Sequence, residues 1–158
     1  MANNKTTITA PAGGHEIIIE RVFDAPREKV WQAYADPELV IQWQGPRNLK
    51  GKIDSWDFKP GGRWGYTHTD ADGNSYSFHG FNHEIKAPEH LVSTFEFNGV
   101  PGHVSMNSAF FEDLGGKTKL KTIALFESNE DRDGMMASGM ERGVVEGNER
   151  LDELLEKI

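Results

Sequence analysis

Six histidines in a chain without a single cysteine make metal chemistry the first possibility to weigh. His79 and His83 share one face of an extended segment, but four residue steps along a strand put them ~13 Å apart, too far to chelate one ion. His68 lies across a hairpin from that segment, and no Asp or Glu has the spacing to complete a ligand set, so no metal is expected. Nucleophilic catalysis also lacks its parts. There is no Gly-x-Ser-x-Gly elbow, and Ser93, Ser105 and Ser108 sit mid-strand, without a turn or base to activate a hydroxyl. Asp57 and Glu84 are the carboxylates to consider for acid–base work. Both lie beside turns, where salt bridges and turn capping are the ordinary use. Gly61-Gly62 and Gly115-Gly116 read as strand-to-strand turns rather than phosphate loops, because neither opens a helix. Neither a catalytic residue nor a cofactor is expected.

A second set of residues has the composition of a binding wall. Strand alternation puts Trp64, Tyr66 and His68 on one face, and Tyr76, Phe78, Gly80 and Asn82 on one face of the next strand. A three-residue loop at Asp72-Gly73-Asn74 brings the two sets together, whereas a two-residue turn would turn Ser77 and His79 inward instead. The same inward parity is expected of Phe95 and Phe97, of Met106, Ser108 and Phe110, and of Leu120, Thr122, Ala124 and Phe126, with Lys119 and Lys121 outward. Large rings mixed with a few Tyr, His, Asn, Ser and Thr groups make a wall that is apolar yet able to orient a guest. Methionines on the last helix can repack around varied shapes. The expected ligand-binding residues are Trp43, Trp64, Tyr66, His68, Tyr76, Phe78, Phe95, Met106, Phe110, Thr122, Met136, Met140 and Val144. The competing reading is that these side chains simply fill a core.

The elements that must position this set can be read in order. Glu16 to Phe23 is β-branched and apolar, a strand. Asp24-Ala-Pro-Arg-Glu28 and Asp36-Pro37 each offer an N-cap with proline in the first turn, and so predict two short helices, the second ending near Trp43. Six further strands follow, from Ile53, Trp64, Tyr76, Leu91, His103 and Thr118, with turn residues between neighbours, which favours an antiparallel meander. Asp133 to Ile158 closes the chain as one amphipathic helix. Met136, Met140, Gly143, Val144, Gly147, Leu151, Leu154, Leu155 and Ile158 form its apolar stripe. The distal half of that stripe is Leu and Ile. The proximal half is Met and Gly, at a cost of roughly 1 kcal/mol per interior glycine relative to alanine. One helix of ~26 residues cannot fill the concavity of a twisted seven-stranded sheet, so space is expected beneath its soft half, with access near Asn129 to Met140.

Several segments together carry a family likeness. These are Arg21-Val-Phe-Asp-Ala-Pro26 with Val30-Trp31, Asp36-Pro-Glu-Leu39 with Trp43, Asp57-Phe-Lys-Pro-Gly-Gly-Arg-Trp64, Phe78-His-Gly80, Pro88-Glu-His-Leu-Val92, Gly116-Lys-Thr-Lys-Leu120 and Ser138-Gly-Met-Glu-Arg-Gly143 leading into Leu151 and Leu154. In this order, from about Glu16 to the end, the chain resembles the START-like (SRPBCC) superfamily, in its AHSA-type branch named after the activator of heat-shock-protein-90 ATPase. The resemblance implies an α+β helix-grip (START/Bet-v-like) fold. Its parts are a curved seven-stranded antiparallel sheet, two short helices after the first strand, and a long C-terminal helix over a cavity. It also favours the inward placement of Gly80, and hence the three-residue loop. Superfamily relatives bind lipids, hormones or polyketides, and a minority catalyse cyclisation or dehydration. Binding of a small hydrophobic or amphiphilic molecule is the leading expectation. A cavity enzyme with Tyr66, His68 or Tyr76 as proton donor is the first alternative. The eponymous co-chaperones carry an additional N-terminal domain for which this chain has no room, so a stress or chaperone accessory role stands third.

The totals bound the partners. At 158 residues the chain suits one domain, residues 15–158, preceded by a flexible polar tail, residues 1–14. A net charge of −8 with no basic run argues against nucleic acid and anionic membranes. No apolar run is long enough for membrane insertion, and the absence of cysteine suits the cytoplasm. A monomer or a homodimer is expected.

Overall fold

A computed structural model describes residues 4–158. Twelve elements follow one another: β1 (Thr7–Thr9), β2 (Glu16–Phe23), α1 (Arg27–Ala35), α2 (Pro37–Trp43), β3 (Lys50–Trp56), β4 (Arg63–Thr69), β5 (Ser75–Lys86), β6 (His90–Phe97), β7 (Val104–Asp113), β8 (Thr118–Leu125), α3 (Asn129–Ala137) and α4 (Met140–Leu155). All strands join one antiparallel sheet in the order β1-β2-β8-β7-β6-β5-β4-β3. The sheet therefore has eight strands, not seven. The added one, Thr7–Thr9, pairs with Glu20 to Ile18 and comes from the segment expected as a tail. Because β2 and β3 lie far apart in that order, α1 and α2 must carry the chain across the sheet, and α4 then packs over the same face.

Local chemistry explains most boundaries. Asp36 accepts a hydrogen bond from the Glu38 N–H with Pro37 in the first turn, so α2 starts where the sequence places it. Asp24 does not cap α1; its carboxylate meets Lys117 at 3.3 Å instead. At the end of α2, Arg150 reaches back from α4 and donates to the carbonyls of Gln42 at 2.8 Å and Gly45 at 3.0 Å. A cation on these otherwise unpaired carbonyls also suits the negative end of the helix dipole.

The single terminal helix of the sequence reading is two helices. Ser128 caps α3 by accepting from the Asp131 N–H, and the chain breaks at Ser138-Gly139, where Gly139 has φ +86°. That left-handed conformation is one that only glycine adopts without strain, and it re-aims the chain into α4.

The distal, Leu-rich half of α4 anchors the core as expected. Leu151, Leu154 and Leu155 pack with Phe23, Val30, Trp31, Trp43, Phe111 and Leu120. Trp31 and Tyr34 meet the Phe111 ring edge-on, with centroids 5.1 and 5.4 Å away. Buried indoles find partners: Trp43 donates to the Ala33 carbonyl at 2.9 Å and Trp64 to the Thr94 carbonyl at 3.1 Å. The second bond crosses β5 at Gly80, where any Cβ would collide with both the indole nitrogen and that carbonyl. Gly80 is thus needed for close approach rather than for its dihedral freedom.

Candidate functional site

The sheet and the two terminal helices enclose a cavity of about 1090 Å³. Its ring wall rises from β4, β5 and β6. Trp64, Tyr66, His68, Phe78, Phe95 and Phe97 form a connected stack, with neighbouring centroids such as Tyr66–His68 at 4.9 Å, Phe78–Phe97 at 5.1 Å and Trp64–Phe95 at 5.9 Å. The opposite wall is aliphatic, from Ile17, Ile19 and Ala124. Met140, Gly143, Val144 and Gly147 of α4 close the top, and Gly134 and Met135 of α3 continue that cover. Tyr76, Val100, His103 and Glu130 are both exposed and cavity-lining, so they mark the open side. There His103 on the β6–β7 connection meets Asp131 of α3 at 2.9 Å.

Of the expected ligand-binding residues, Trp43, Trp64, Tyr66, His68, Tyr76, Phe78, Phe95, Thr122, Met140 and Val144 line this space together. The hairpin register explains why the β4 and β5 sets meet. Asp70 and Asn74 close a three-residue loop, Ala71-Asp72-Gly73, which places Tyr66 opposite Phe78 and Trp64 opposite Gly80. The loop lies one residue earlier than the sequence suggested, with the parity unchanged.

Three expected residues do not line the cavity. Met106 and Phe110 point to the outer face, 45% and 40% exposed, and Phe110 stacks on His90 there at 4.5 Å. Met136 yields its place to Met135, because the break at Gly139 uncouples α3 from the helical phase of α4. On β7 the inward residues are Ser105, Asn107, Ala109 and Phe111, one residue out of step with the expected Met106, Ser108 and Phe110. A signal for the true register exists in the sequence. Gly115 and Gly116, at φ +74° and +93°, make a two-residue turn closed by Leu114 and Lys117, and that turn sets Phe111 opposite Leu120. From Ser105 to Ala109 the inner face of β7 therefore carries only small or polar side chains where a methionine and a ring had been expected, and this is what leaves the floor of the cavity open.

Polar groups on the walls are few and mostly committed. Arg21 forms an ion pair with Asp152 and also donates to Thr6 Oγ1 at 3.3 Å, a hydroxyl shared with Asn148 Nδ2 at 3.0 Å. The Tyr66 hydroxyl accepts from Gln44 Nε2 at 3.0 Å, and burial pushes this phenol above its ordinary range. His68, 4% exposed, is wedged against Gly45, and its Nε2 is buried without a hydrogen-bond partner. Burial, aided by the Arg150 charge, holds its pKa below the usual value, so the imidazole is neutral near pH 7. Among the described residues no cluster of three or more His, Asp or Glu side chains could hold a metal ion. Asp57 and Glu84 serve local structure, Asp57 beside Lys59 at 3.7 Å and Glu84 against His90 at 2.7 Å.

The same fold recurs in solved structures of other proteins. A solution structure of a protein from Arthrobacter aurescens is 28% identical and superposes with a TM-score of 0.88, over 96% of this chain and 92% of its own. A crystal structure from Rhodobacter sphaeroides, 21% identical, covers 98% of this chain and 99% of its own at a TM-score of 0.89. The AHSA1 protein of Silicibacter pomeroyi, 22% identical, covers 89% and 97% at a TM-score of 0.74. The latter two support the fold alone. No curated protein matches. The family model described as Activator of Hsp90 ATPase homolog 1-like protein matches residues 24–156. Most of the fold and the whole ring wall lie within that match, and the chain belongs to this AHSA-type, START-like family.

Proposed function

We propose that this protein binds a small hydrophobic or amphiphilic molecule in the cavity between the sheet and helices α3 and α4. One observation carries the reading. The space of about 1090 Å³ is slightly larger than the ~300–1,000 Å³ typical of ligand pockets, and it is walled by rings rather than filled by them. Glycine at positions 143 and 147 lets the covering helix lie close against Pro46 and the Trp43 and Gly45 backbone, and it puts no side chain of its own into that space.

A cavity enzyme is the second reading, and the electrostatics weigh on it. Both Tyr66 and His68 are held neutral, the phenol by a raised pKa and the imidazole by a lowered one. Groups so tuned accept or donate hydrogen bonds to a guest, but they are poor proton donors near pH 7. Nothing in the geometry favours a chaperone accessory role. Among the described residues no helix is long and apolar enough to cross a membrane.

Thermal unfolding with pyrene and with 1-dodecanol tests the binding reading. A binder at 100 times its dissociation constant stabilises the fold by about 2.7 kcal/mol, or roughly 5–10 °C for a chain of this size. A flat melting temperature with both probes, with no fluorescence change of pyrene, would overturn it.

A further inference from the structure

Across the middle of the sheet the cavity floor carries a row of neutral polar side chains. Asn82 stands opposite Ser93, and Ser93 opposite Asn107, in the registered pairs of β5–β6 and β6–β7. Ser105, two residues from Asn107, donates its hydroxyl to Asn107 Oδ1 at 3.0 Å, and Asn82 Nδ2 is committed to the Asp57 carbonyl at 3.0 Å. Two groups remain. Among the described residues, neither the Ser93 hydroxyl nor Asn107 Nδ2 has a protein partner, and both side chains face the cavity. Directly opposed strand residues have Cβ atoms about 5 Å apart, so one oxygen atom can reach both donors.

The charges around the cavity are arranged differently. Arg21, on the inner wall, is neutralised by Asp152, and Arg142, at the rim, is engaged by Glu146 at 2.9 Å. Asp70, Glu130 and Asp131 add negative charge among the lining residues, in a chain whose net charge is already −8. Among the described residues a carboxylate carried onto the floor would meet no free cation, and burying an unpaired charge is far costlier than burying a hydroxyl.

Resting on the binding reading above, we propose that the cavity selects an uncharged, oxygen-bearing guest, its hydroxyl or carbonyl seated on Ser93 and Asn107 and its apolar body on the ring wall. The wall begins two residues along β6, at Phe95, so the oxygen lies about 7 Å from the ring it stacks against. An anionic amphiphile with the same body is excluded by its head group, and a bare hydrocarbon leaves two buried donors unmet.

A matched series on one ring system tests this: pyrene, 1-pyrenemethanol and 1-pyrenecarboxylate, titrated by fluorescence at pH 7.5 with the full chain. The expected order is the alcohol first, with about tenfold tighter binding than pyrene for the added hydrogen bond, and the carboxylate weakest. Ser93→Ala combined with Asn107→Leu abolishes the alcohol's advantage while pyrene still binds, which also shows that the variant is folded; Ser93→Ala alone keeps part of it. Tightest binding of the carboxylate overturns the proposal, and so does an alcohol preference that survives both substitutions. If none of the three compounds binds, the binding reading itself has failed. If pyrene binds and the alcohol binds no better, only the floor assignment has.

Discussion

His68 is the residue whose chemistry is most altered by its place in the fold. It is buried between the ring wall and Gly45, and its folded pKa lies below the unfolded value near 6.5. The folded state therefore binds the proton less readily than the unfolded chain, so stability falls as pH drops below about 6.5 and stops falling once the folded pKa is passed. His68→Gln removes this term. Urea midpoints of the wild type and of His68→Gln should draw together as pH is lowered from 7.5 to 5, because only the wild type loses the His68 contribution. Parallel pH profiles would mean that the ring is not buried neutral. The face that His68 shares with Trp64 and Tyr66 was legible from strand alternation alone. The placement of Phe110 was not, because adjacent Phe110 and Phe111 are equally apolar and a period of two gives no preference between them. The Gly115-Gly116 turn breaks the tie and packing agrees with it: Phe111, 2% exposed, fits against Trp31 and Tyr34, with Ser105 and Asn107 turned toward the cavity.

Among the elements, the α3–α4 break and the soft first half of α4 make opposite predictions for two glycines four residues apart. A Cβ at Gly139 would touch nothing within 4 Å, but the backbone there is left-handed at φ +86°, so Gly139→Ala isolates conformational strain and should cost about 1 kcal/mol. Gly143 lies inside the helix, where an added Cβ meets only Pro46 Cδ at 3.5 Å, an ordinary contact. Gly143→Ala should therefore stabilise by roughly 0.5–1 kcal/mol. Urea unfolding of the two variants checks the signs; stabilisation by both would mean that the chain does not break at Gly139. The apolar stripe from Met136 to Ile158 reads in sequence as continuous, because the break changes direction without interrupting hydrophobicity. Ser138-Gly139 was the visible stop signal, a capping glycine lost within a family motif that runs through it. Likewise β1 is only three residues long and has no alternation to reveal it; its place comes from pairing with β2.

At the scale of the molecule, the fold separates anchoring from accommodation along one helix. The distal turns of α4 hold the core through Leu151, Leu154 and Leu155, while the proximal turns line open volume. This division was legible in the sequence, since only the Leu-rich half has the side-chain volume to fill a core. The volume of the space was not, since it depends on the β7 register and on Ser105, Asn107 and Ala109 replacing larger groups on the floor. An unfilled cavity forgoes packing energy, and that gives a way to connect stability with binding. Val144 faces the cavity from α4, so Val144→Phe extends a ring into the void without disturbing the distal anchor. The variant should melt higher than the wild type in the absence of ligand, and its melting temperature should respond less to 1-pyrenemethanol, because the ring and the probe compete for the same volume. A raised melting temperature with an undiminished probe response would place the probe elsewhere on the molecule. A lowered melting temperature would mean that the space beneath α4 is too small to admit even one added ring.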